Sequence, residues 1–104
     1  MRARRVIYAQ ESEDDLDSIY AYIANAASAT TALAFTERVD AFCRSLSHAS
    51  ERGTPHPEIR AGLRSVGFER RVTIIYQTTE ETVSILRIFY AGRDWHADLD
   101  DFLG

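Results

Sequence analysis

At 104 residues, 45% of them hydrophobic, the chain has the length of one domain with a single core and no room for a second. A net charge of −4 argues against a surface that tracks a phosphate backbone, and the lone cysteine, Cys43, excludes an intramolecular disulfide and a thiolate zinc cluster. No run reaches the roughly 18 apolar residues of a membrane span, and Met-Arg-Ala-Arg-Arg opens without an apolar signal region, so a cytoplasmic location is expected.

Residues 4–9 hold Val6, Ile7 and Tyr8 and predict a first strand. Ser12 then reads as a helix cap, with Glu13, Asp14 and Asp15 at the positive end of the macrodipole and an apolar stripe of Leu16, Ile19, Tyr20 and Ile23 behind them. Residues 11–17 carry five acids and no base, which capping and solvation explain; no histidine lies near enough to complete a metal set. The small and hydroxyl residues of 25–31 form a joint, with Ser28 or Thr30 capping a second helix whose stripe is Phe35, Val39, Phe42 and Leu46. Together they predict an antiparallel helical hairpin over about 13–48, with Cys43 as a packed core thiol.

Arg52-Gly53-Thr54-Pro55-His56-Pro57 reads as a loop without regular structure, and His48 and His56 as surface residues. The period then changes to two. Strands are predicted at 60–66, 70–77 and 82–90, with turns at 67–69 and 78–81 too short for crossovers, so the three form an antiparallel meander. Residues 94–104 read as a flexible or briefly helical tail. The fold class is α+β: an N-terminal strand, a helical hairpin, then the three-stranded meander.

Alternation puts Val72, Ile74 and Tyr76 on one face of the middle strand and Arg71, Thr73, Ile75 and Gln77 on the other. In the last strand it separates Leu86, Ile88 and Tyr90 from Val83, Ile85, Arg87 and Phe89. Both sets are largely apolar, yet a hairpin covers one face only. Ile75, Ile85 and Phe89 therefore need cover from the tail or from a partner, and Arg71 and Arg87 beside them suit an acidic amphipathic peptide better than bare nucleic acid. All twelve basic residues are arginine, which favours bidentate pairing with carboxylates.

The run Asp14-Asp15-Leu16-Asp17-Ser18-Ile19-Tyr20-Ala21-Tyr22-Ile23 resembles the first helix of the ParE toxins. Ala34-Phe35 with Leu46, Gly53, Ile59-Arg60-Ala61-Gly62-Leu63-Arg64, and Ile85-Leu86-Arg87-Ile88 with Gly92-Arg93-Asp94 resemble their later motifs, in order, over about residues 6–99. The resemblance places the chain in the RelE/ParE superfamily and implies the toxin of a type II toxin–antitoxin pair, bound by a ParD-like antitoxin in a heterotetramer or larger assembly, with DNA gyrase as target. A RelE-type ribosome-dependent messenger RNA endoribonuclease is the alternative. It needs cations at the phosphate, but Thr73 and Gly62 stand where an arginine and a lysine would, which leaves only Arg93 and His96. A degenerate toxin that only binds its antitoxin is a third reading. No catalytic residue, metal or cofactor is assigned. Arg64, Arg71, Ile75, Ile85, Arg87 and Phe89 are expected to meet the antitoxin, and Arg93, Trp95 and His96 to carry toxicity.

Overall fold

The computed structural model describes residues 3–90. Strand β1 (Arg5–Tyr8) turns Val6 and Tyr8 towards the helices, and the chain then enters helix α1 (Gln10–Ala26) without a linker. Ser12 is not the cap. The N–H of Ala9 bonds the carbonyl of Ile85 at 2.9 Å, and the helix begins at the next residue. Ser12 falls inside the first turn, fully buried, its hydroxyl donating back to the carbonyl of Ala9 at 2.7 Å. Sheet pairing thus sets the start of α1, while Glu11 and Glu13 supply the favourable charge in its first turn.

Helix α2 (Ala29–Ser45) follows a two-residue joint, and Ser28 caps it as the sequence predicts, its Oγ accepting from the N–H of Thr31 at 3.1 Å. Ala32, Phe35, Val39, Cys43 and the helix-ending Leu46 form its buried stripe, against Ile19 and Ile23 of α1. Burial pushes the Cys43 thiol up to about 12.

The sheet has five strands in the order β1-β5-β4-β3-β2: β2 (Thr54–Pro55), β3 (Leu63–Phe68), β4 (Val72–Thr78) and β5 (Thr82–Tyr90). β1 lies parallel to β5, so the hairpin is the crossover between them, and every other pairing is antiparallel. Several boundaries move from the predicted ones, with β3 running on to Phe68 and β4 beginning at Val72. β3 starts only at Leu63, because Gly62, at φ +79°, turns the chain so tightly that a Cβ there would meet the Thr78 carbonyl oxygen at 2.6 Å. Thr54–Pro55, predicted to be irregular, pairs with β3 at the outermost edge, where proline's missing N–H is not needed.

A bulge corrects the predicted faces of β5. Tyr76 pairs with Ile85 and the adjacent Ile75 with Arg87, so Leu86 is an extra residue. Alternation slips there. Val83, Ile85 and Ile88 all join the core under the helices, and Leu86 goes to the opposite face with Leu63, Ile75 and Phe89. Ile85 is thus a core residue at 0% exposure rather than part of an uncovered face. Since the Cys43 thiol is buried and neutral, a disulfide-exchange reagent at pH 8 should leave it unmodified in the native chain and modify it fully in denaturant. Rapid labelling of the native chain would contradict this packing.

Candidate interaction surface

β5 outlasts its neighbour. β1 pairs with it only from Thr82 to Ile85, and beyond that point α1 lies along the edge instead. Asp15 closes the gap. Its carboxylate accepts from the N–H of Ile88 at 2.8 Å and from the Arg87 guanidinium in two bonds, at 2.7 and 2.9 Å, with the two side chains 13% and 16% exposed. The Arg87 guanidinium also stands 4.6 Å from the centre of the Phe89 ring. Two sequence expectations change. Asp15 is a structural acid rather than a solvated cap, and Arg87, expected to meet the antitoxin, is engaged by Asp15 within the chain.

The face away from the helices is the second site of correction. Leu63, Ile75, Leu86 and Phe89, with Ile59 against them, form a small separate cluster in which Ile75 is 0% and Phe89 2% exposed. Both were expected on a surface awaiting a partner; the chain itself buries them. Arg64 donates to the carbonyls of Glu51 at 2.9 Å and Gly53 at 3.3 Å. With Tyr76, whose hydroxyl donates to the carbonyls of Ser50 and Arg52, it fastens the loop after α2 to the sheet. His56, expected at the surface, is largely buried there. Its Nε2 lies 2.7 Å from Ser65 Oγ and its Nδ1 3.6 Å from Glu58, because the β2–β3 pairing draws the proline loop over the sheet. Arg93, Trp95 and His96 lie outside the described residues.

Arg71 is exposed, and it belongs to a constellation that sequence reading missed. Glu69 and Arg70 both have left-handed backbones, φ 53° and 58°, and the Arg71 N–H bonds the Phe68 carbonyl at 3.1 Å across them. Arg38 of α2 reaches Glu69 with two bonds of 2.9 and 3.0 Å and holds its carboxyl below the usual range. The guanidiniums of Arg38 and Arg71 lie 5.4 and 5.6 Å from the centre of the Phe35 ring. Phe68 packs on Phe42 and Phe35, and Phe35 meets Tyr90, which meets Tyr22. The Arg70-Arg71 doublet was visible in the sequence; the turn two residues further on, at 69–71 in place of 67–69, was not.

The opposite charge collects on the helices. Leu16, Asp17, Tyr20, Thr36, Glu37 and Asp40 line an open groove of about 430 Å³ between α1 and α2. Asp40 accepts from the Tyr8 hydroxyl at 2.5 Å and from Arg44 at 3.0 Å, and burial together with Asp40 raises the Tyr8 phenol above its ordinary value. Among the described residues, no group of three or more His, Cys, Asp or Glu side chains gathers to hold a metal, and no helix is long and apolar enough to cross a membrane.

A family model described as the ParE toxin of the type II toxin–antitoxin system parDE matches residues 6–95. In structure the chain is similar to one from the chromosomal ParDE toxin–antitoxin system of P. aeruginosa, with a TM-score of 0.74 and 20% identity, over 86% of this chain and 98% of that one. No curated protein matches the sequence.

The Asp15–Arg87 pair makes a quantitative prediction. Asp15→Ala should destabilise the fold by about 3 kcal/mol in urea unfolding, because it removes two charge-assisted bonds from the Arg87 guanidinium and the acceptor of the Ile88 N–H, and Asp15→Ala with Arg87→Met should recover part of the loss. Equal stability of wild type and Asp15→Ala would show the pair to be incidental.

Proposed function

The chain belongs to the ParE toxin family of type II toxin–antitoxin systems, and on that premise we propose that it is the growth-inhibiting member of a two-gene pair, held inactive in the cytoplasm by a ParD-like antitoxin. The match of the family model over residues 6–95 carries this reading. Its target is DNA gyrase, which it blocks as a binding protein rather than as an enzyme. Arg93, Trp95 and His96 are the proposed contacts for the target, and Arg71 the proposed contact for the antitoxin.

The ribonuclease alternative receives no support from the described residues. Gly62, where a cation would be needed, sits at φ +79° with backbone against the place a Cβ would occupy, so a side chain could stand there only with strain. Thr73 is a neutral strand residue. A nuclease would have to stabilise the charged phosphorane without either group.

Purified protein should inhibit gyrase supercoiling and increase the cleaved, enzyme-linked DNA, and equimolar antitoxin should abolish both effects. Growth arrest on induction with gyrase unaffected and messenger RNA cut at ribosomal positions would replace this reading with the nuclease one.

A further inference from the structure

We propose that the β3–β4 turn is a docking point for a short acidic segment of a partner protein, whose carboxylates bind Arg70 and Arg71 and whose adjoining apolar residue packs on Tyr22. The proposal rests on the reading of the chain as one member of a two-protein complex, and it names the chemistry by which that partner is held.

The first observation is strain. Both central residues of the turn are left-handed, a conformation unfavourable for an L-residue and one that Asn-Gly would take far more readily. Glu69 and Arg70 occupy it because the turn is clamped from outside. Arg38 grips Glu69 from α2, and Phe68 is seated between Phe35 and Phe42. A clamped, unfavourable conformation is an observed outlier of the kind that accompanies binding sites.

The second observation is the charge that the clamp presents. Arg38 is already matched by Glu69, and Arg71 lies over the Phe35 ring near that same carboxylate. The Arg70 side chain makes no hydrogen bond or ion pair among the described residues. Three arginines against one glutamate leave two positive charges side by side on exposed residues, which carboxylates can take in paired bonds.

The third is the surface beside it. Val72 pairs with Tyr90, so the aromatic line Phe68, Phe35, Tyr90, Tyr22 starts at the turn and ends on Tyr22, which is 61% exposed. Phe35 is buried and only the end of the line is open, but the steps from Arg71 to Phe35, Tyr90 and Tyr22 are each 5.6 to 6.1 Å, so a segment extending several residues from the two arginines can reach Tyr22. A peptide fits better than nucleic acid. Two or three carboxylates match the patch, whereas a long polyanion would be repelled by a molecule of net charge −4 with an acidic groove on its helices.

The test uses a fluorescent peptide of alternating aspartate and leucine, a fluorescent 15-base-pair duplex, and the antitoxin encoded beside the gene. The peptide should bind the wild-type chain, more weakly as salt rises, and roughly tenfold or more weakly to Arg70→Glu/Arg71→Glu. Arg70→Gly, which keeps the Arg38–Glu69 clamp and relieves a left-handed position, should raise the melting temperature yet also weaken the peptide, a combination that a merely structural turn would not produce. Equal peptide affinity in the charge-reversed variant, no peptide binding, or preference for the duplex would overturn the proposal. If the antitoxin binds wild type and both variants alike, this site is wrong while the pair stands. If the peptide binds but the antitoxin never does, the pairing itself is wrong.

Discussion

The carboxylate of Asp15 does three things at once, and the architecture around β5 depends on them. It satisfies the Ile88 N–H where β1 has ended, holds the Arg87 guanidinium in two bonds, and ties the second turn of α1 to the far half of a strand 72 residues later. A sheet edge left open at Ile88 would be a donor without an acceptor beside a hydrophobic core. With Asp15 in place, a helix takes over from a strand along one edge. The parallel β1–β5 pairing and the helical crossover can then share a single long strand.

That arrangement decides which groups of the sheet are engaged within the chain. The cluster of Leu63, Ile75, Leu86 and Phe89 is buried, Arg87 is engaged inside the monomer and Arg64 braces a loop, so most of the polar and apolar groups on β3, β4 and β5 serve the fold. What remains outward is polarised. Arg70 and Arg71 stand on a clamped turn at one end of the sheet, and Asp17, Glu37 and Asp40 line the groove between the helices. In a fold with an acidic net charge, such separation favours an approaching acidic segment at the turn over the groove between the helices.

Much of this fold was legible because its signals are local. The two amphipathic stripes, the Ser28 cap and the span of β5 from Thr82 to Tyr90 each follow from residues within one element. The losses came where distant parts of the chain decide. Ser12 looked like a cap, but the Ala9–Ile85 bond starts the helix earlier. Nothing around Leu86 marks a bulge, since the extra residue is neither glycine nor polar, and that one slip of register reversed the face assigned to Ile85. Asp15 was indistinguishable from its acidic neighbours because its partners lie on another element. The Glu69-Arg70 turn was misplaced for the opposite reason: Gly67 is the stronger turn former by composition, yet it lies within β3, and a clamp from α2 fixes the turn two residues on.

Amide hydrogen exchange at Ile88 is the measurement closest to the central point, because its N–H is bonded by Asp15 alone among the described groups. Ile88 should exchange as slowly as the core amides of β4 in the wild-type chain and orders of magnitude faster in Asp15→Ala, with the β4 amides much less affected. Fast exchange of Ile88 in the wild type, or unchanged protection without the carboxylate, would show that Asp15 does not close the edge of β5.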